Sequence, residues 1–109
     1  MANRNKQAGS AWEREIVQRL IGMGYDAVTA RYASRMMDDK GIDIVSDFPL
    51  KIQCKISINQ PNVHDILTNK ECDVIFFRKV EKADKNFISK GDYAMLKLED
   101  LLNLIGEKQ

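Results

Sequence analysis

Residues 40–56 read KGIDIVSDFPLKIQCKI. Ile42–Val45 is a short apolar run that starts at Gly41, Ser46–Pro49 is a turn, and Leu50–Ile56 alternates strictly. In that alternation Leu50, Ile52, Cys54 and Ile56 share one face, and Lys51, Gln53 and Lys55 share the other. A four-residue connection between two strands predicts an antiparallel hairpin. The hairpin brings Asp43, which interrupts the first run, beside Gln53 and Lys55. Aspartate is a poor strand former, and a half-buried carboxylate needs a cation or hydrogen-bond donors.

Upstream, Ser10-Ala11-Trp12-Glu13 has the S-x-x-E spacing of a capping box and predicts that a helix opens at Ser10, after a flexible segment 1–9. Trp12, Ile16 and Leu20, with Val17 beside them, form one apolar stripe. Glu13 lies along that stripe, whereas Glu15 is spaced for an i, i+4 pair with Arg19. Gly22 or Gly24 stops the helix. Tyr25–Ala30 reads as the first strand. Arg31–Lys40, carrying Arg31, Ser34, Arg35, Asp38 and Asp39, reads as a polar loop.

Downstream, a helix is expected from Pro61 to about Asn69, capped at Asn59 or a neighbour. The apolar run Val74–Phe77 suits a strand covered on both faces. Glu81–Gly91 reads as a charged loop, Tyr93–Leu98 as a last strand, and Glu99–Ile105 as a closing helix that ends at Gly106. The order is α-β-β-β-α-β-β-α: an α/β (α+β) domain with a mixed β-sheet flanked by helices.

With 109 residues, 44% hydrophobic and 30% charged, the chain is sized for one domain over residues 1–109. It is too apolar for a disordered chain, and it lacks the run of about 20 apolar residues that a membrane span needs. The opening MANRNKQAGS has no apolar signal core, which predicts an intracellular, cytoplasmic protein with Cys54 and Cys72 as thiols. One histidine excludes a multi-His metal centre, and His64 reads as a surface or capping residue. The net charge of +1 hides an asymmetry: residues 1–37 hold six basic and three acidic side chains, residues 38–109 eleven and thirteen. A polyanion would be better served by the first third of the chain and the loop after it.

Glu13, Asp43, Gln53 and Lys55 each have an ordinary explanation, as a cap, an edge-strand carboxylate or a surface row. Together they suggest chemistry. Two carboxylates ~4 Å apart repel by about 4 kcal/mol at an effective dielectric of ~20, and a divalent cation converts that cost into coordination. Oxygen donors with room for water and phosphate suit Mg²⁺ or Mn²⁺.

Glu13, then KGIDIV around Asp43, then IQCK ending at Lys55, resembles the PD-(D/E)XK nuclease signature. Residues 8–28, AGSAWEREIVQRLIGMGYDAV, followed by an arginine-bearing loop, are similar to the archaeal-type Holliday-junction resolvases and their phage relatives. The similarity spans about residues 6–58. It implies a restriction-endonuclease-like core and an Mg²⁺-dependent DNA endonuclease acting on four-way junctions as a homodimer. By that resemblance Asp43 is the central metal-bridging carboxylate and Glu13 completes the site. Lys55 orients the attacking water and offsets phosphate charge, and the Cys54 backbone carbonyl is a further ligand. Arg31 and Ser34, with Arg35 beside them, meet DNA. Gln53 departs from the family's usual Glu or Asp. Its amide oxygen still ligates, but the site loses one negative charge, so the alternative is a catalytically inactive DNA-binding module on the same scaffold. A third possibility, a small protein-interaction domain, predicts no salt-sensitive DNA binding.

Overall fold

The computed structural model describes residues 4–107. Helix α1 runs from Arg4 to Gly22. It therefore starts before Ser10, which lies inside the helix rather than at its cap. The S-x-x-E spacing also sets Ser10 and Glu13 one turn apart on one face, and that is how it is used. Of the segment expected to be flexible, residues 1–3 lie outside the described residues and the remainder opens α1. The helix stops at Gly24, whose φ of 98° is left-handed. Gly24 N–H donates to Ile21 O (3.0 Å) and Tyr25 N–H to Leu20 O (3.0 Å), the paired bonds of a Schellman end.

Strand β1 (Ala27–Thr29) follows, then two short helices, α2 (Ala30–Ala33) and α3 (Arg35–Asp39), where a loop was expected. Helices this short have too few residues to show a periodicity. What holds α3 is local: Ser34 caps it, accepting from Met37 N–H at 3.3 Å. Strands β2 (Ile44–Ser46) and β3 (Ile52–Ser57) come next, then α4 (Val63–Asn69), β4 (Val74–Ala83), β5 (Asn86–Leu96) and α5 (Leu98–Ile105). The α4 cap is Asn62, which accepts from Asp65 N–H at 3.2 Å.

The five strands form one mixed sheet in the order β1-β2-β3-β4-β5. β2 pairs antiparallel with β3, as the four-residue turn predicts, and antiparallel with β1 on its other side. β4 lies parallel to β3, and α4 makes the crossover. The apolar run expected to be covered on both faces is the centre of the sheet: Val74, Ile75 and Phe77 are all buried.

The segment expected to be a charged loop, Glu81–Gly91, is strand. β4 and β5 form a long antiparallel hairpin paired out to Ala83 and Asn86. A projecting two-stranded ribbon has solvent on both sides, so its charged residues do not argue against a strand. Lys90 bridges to Glu81 at 3.7 Å, and Asp84 turns the chain at φ 56°, which aspartate tolerates. A bulge between Lys79 and Val80 shifts the register where the ribbon leaves the sheet.

The apolar stripe of α1 packs on Ala27, Ile44, Ile52 and Val74. Trp12 anchors it, donating its indole N–H to Phe76 O at 2.9 Å, with the Arg78 guanidinium 4.1 Å from its ring. Arg78 also binds Glu15 (2.6 Å) and Asp92 (2.7 Å), tying α1 to β4 and β5. The expected Glu15–Arg19 pair is present but looser, at 4.0 Å. Helix α5 covers no core: Leu98, Leu101, Leu102, Leu104 and Ile105 stay exposed. Among the described residues, no helix is long and apolar enough to cross a membrane.

Candidate active site

β2 and β3 pair at a single register position, Ile44 with Ile52. One residue before β2, Asp43 still donates its N–H to Ile52 O (2.8 Å), and its carbonyl accepts from Ala30 N–H (2.8 Å). Beyond that point the ladder opens. The Cys54 N–H, which a longer β2 would pair with a carbonyl, is taken by the Asp43 carboxylate: Oδ2 accepts it at 2.7 Å. A side chain thus replaces a backbone acceptor and is fixed at the mouth of the opening. Oδ1 accepts no hydrogen bond from the described residues. The structure ties Cys54 to Asp43 through its amide; the carbonyl was the atom expected to matter.

Glu13 reaches the same place from α1. It is 4% exposed, and its Oε2 accepts from Arg31 at 2.9 Å. The other arm of that guanidinium donates to Ser10 Oγ at 2.8 Å, so Ser10 and Glu13 grip Arg31 together. The second carboxylate oxygen, Oε1, is buried without a partner among the described residues. A buried carboxylate oxygen without a donor is costly.

Burial above all, and then the nearby Asp43 charge, push the Glu13 carboxyl from 4.5 up to about 7, against the pull of Arg31. Asp43 is raised too, chiefly by burial and next by Asp38, while the Cys54 N–H, Lys55 and Arg31 hold it down. Both carboxylates feel Asp38 and Arg31, whereas Lys55 acts on Asp43 and Arg14 on Glu13. Asp38, half-buried in α3, is the member that sequence reasoning left unassigned. It was visible only as one of two acids in a polar stretch, and no periodicity signals a five-residue helix.

The Glu13 shift sets a pH dependence. The folded chain keeps a proton that the unfolded chain releases between pH 4.5 and about 7. The linked stabilisation is complete below that window and lost as the pH rises through about 7. Relative to Glu13→Gln, the parent should lose about 3 kcal/mol between pH 4.5 and 8, measured by urea titration without divalent metal. Parallel curves for the two proteins would remove Glu13 as the titrating group.

Lys55 is exposed on β3, makes no ion pair among the described residues, and lies near enough to Asp43 to favour its charge. Gln53 is buried, 7% exposed, and its Oε1 takes a weak contact from Cys72 Sγ at 3.7 Å. Both cysteines are free thiols whose burial raises their pKa. Arg31, expected on DNA, instead pairs with Glu13, and the Ser34 hydroxyl is engaged as the α3 cap. Arg35 is exposed on the first turn of α3, and His64 is exposed on α4.

Among the described residues, no three His, Cys, Asp or Glu side chains gather as a metal-holding group. Mg²⁺ does not require one, since it takes one or two carboxylates and completes its shell with water and phosphate. Among the described residues, Glu13 Oε1 and Asp43 Oδ1 are oxygens of that hard type that accept no hydrogen bond, and the Gln53 amide oxygen is held by a sulfur contact. The donors fit a hard divalent cation. The chain matches no family model, no curated protein and no solved structure.

Proposed function

We propose that the chain is a Mg²⁺-dependent DNA endonuclease on a restriction-endonuclease-like core, acting on four-way junctions, with Mn²⁺ as a second competent cation. The observation that carries this reading is the meeting of Glu13 and Asp43. A helix and an opened strand bring two carboxylates of raised pKa into one neighbourhood, with the exposed Lys55 near Asp43. Such perturbed pairs concentrate at functional sites.

Glu13, Asp43 and the Gln53 amide would hold the cation. When bound, it supplies a Lewis acid that activates water and takes up charge at phosphorus. Lys55 donates to the attacked phosphate and holds the attacking water in line. Ser34 and Arg35 flank the approach, Arg35 as a free cation for a neighbouring phosphate.

A symmetric junction needs two cuts, and two copies supply two sites. The exposed leucines of α5 are the apolar surface on which a second copy would sit. Sedimentation that finds only monomer at micromolar concentration removes the dimer.

The function is tested by titrating Mg²⁺ and Mn²⁺ into labelled four-way junction and linear duplex. Resolution of the junction is the expected result. The same assay reads Gln53. In Gln53→Glu, the added carboxylate should lower the metal concentration for half-maximal cleavage about tenfold, the scale set by one charged donor. An unmoved metal requirement takes Gln53 out of the coordination shell.

A second reading, a DNA-binding module without catalysis, is favoured by two contacts: Arg31 already neutralises Glu13, and Gln53 faces Cys72. It predicts salt-sensitive binding with no cleavage under either cation.

A further inference from the structure

We propose that Arg31 is a built-in counter-ion that neutralises Glu13 until DNA draws it away, so that metal and DNA bind cooperatively. The inference rests on the nuclease reading and concerns how its site is loaded.

The two ends of the Arg31–Glu13 pair live in different surroundings. The Glu13 side chain is 5% exposed and that of Arg31 45%. The carboxylate therefore cannot follow the guanidinium outward, whereas the guanidinium is free to leave. Arg31 sits on α2, a helix of four residues whose first amide, that of Ala30, is bonded to the Asp43 carbonyl. Its backbone is thus fixed beside the opened strand while its side chain reaches from the buried Glu13 carboxylate to solvent. Among the described residues, its side chain is held by two hydrogen bonds, to Glu13 Oε2 and Ser10 Oγ.

Among the described residues Glu13 is half-satisfied: Arg31 serves one oxygen and the other is buried without a partner. A lone guanidinium leaves that acceptor unused. A divalent ion held by Glu13 and Asp43 would use it, but would bring a second positive charge to the carboxylate that Arg31 already serves. The two cations compete. A DNA phosphate at the mouth offers Arg31 a two-pronged partner as good as Glu13 plus Ser10. Phosphate that takes Arg31 therefore clears Glu13 for metal, and by linkage metal on Glu13 frees Arg31 for phosphate by the same factor. This also reconciles the position of Arg31 with its expected role on DNA: the same side chain serves Glu13 in the free protein and phosphate in the complex.

The test uses the full chain and two readouts. Mn²⁺ binding without DNA, followed by the electron paramagnetic resonance signal of the free ion, should be about tenfold tighter in Arg31→Met than in the parent. Ser10→Ala, which removes one anchor and suits a helix interior, should shift it in the same direction by less. Junction affinity by fluorescence anisotropy, in a Lys55→Ala background that keeps the DNA intact, should rise about tenfold with Mn²⁺ when Arg31 is present and stay level in Arg31→Met. If neither Arg31→Met nor Ser10→Ala binds Mn²⁺ more tightly, while Asp43→Asn still abolishes binding, the counter-ion role is wrong and the metal site stands. If no form of the protein binds Mn²⁺, the nuclease reading falls together with this one.

Discussion

Asp43→Asn should lower junction cleavage by about a thousandfold or more, in a protein that folds as well as its parent and is more stable at pH 8. The stability half of this follows from what Asp43 does locally. Its Oδ2 accepts the Cys54 N–H at 2.7 Å where the β2–β3 ladder has opened. An asparagine carbonyl oxygen accepts the same bond, so the opening survives. What disappears is a charge that burial and Asp38 disfavour and that pushes up the Glu13 carboxyl. The substitution therefore relieves repulsion in the free protein while removing the anionic donor that a cation needs. Loss of function with a gain in stability is the signature of a site held together against its own electrostatics. Asp43→Ala, by contrast, also orphans the Cys54 amide and should cost about 1–2 kcal/mol. Cleavage gels and thermal melts of both variants separate the roles. An asparagine variant that cuts at the parental rate would remove Asp43 from the chemistry.

The parts of the fold that could be read from sequence are those whose cause is local and periodic. The stripe Trp12-Ile16-Val17-Leu20, the antiparallel pairing of residues 40–56, the central strand at Val74 and a helix stop at Gly22 or Gly24 each follow from spacing or from a backbone preference within a few residues. Where the reading failed, the deciding contact is distant or the element too short. The β4–β5 ribbon carries Lys82, Lys85 and Lys90 with Glu81 and Asp84, which reads as loop until its pairing partner is known. Helices α2 and α3 span four and five residues. Ser10 shows the subtler failure: its spacing to Glu13 was meaningful, but its function is to hold Arg31, twenty-one residues away.

The candidate site divides in the same way. Asp43 and Glu13 stood out because each contradicts its neighbours, a carboxylate in an apolar run and a carboxylate on an apolar stripe. Gln53 and Lys55 were placed by strand alternation. No sequence rule pairs Arg31 with Glu13, because that bond depends on how α1 lies across β1 and β2. Nor does any rule make Asp38 the third charge that both acids feel.

Lys55 is where removing one side chain should separate cleavage from binding most cleanly. It is exposed and makes no ion pair among the described residues, so Lys55→Ala breaks nothing that holds the fold. Its one evident influence is to favour the charged form of Asp43. On DNA, its ammonium would meet the phosphate at which charge grows during attack, and removing such a donor costs about a hundred- to a thousandfold in rate. Binding should suffer far less: one phosphate contact is lost, and the slope of log affinity against log salt should fall by about 0.9 on duplex DNA. Cleavage rates at saturating protein and junction affinities at several salt concentrations measure the two effects separately. Because Asp43 and Glu13 remain, Mn²⁺ binding should be nearly unchanged, so a lost rate cannot be blamed on an empty metal site. Equal losses of rate and affinity would make Lys55 a phosphate contact alone and leave activation of the water to the carboxylates.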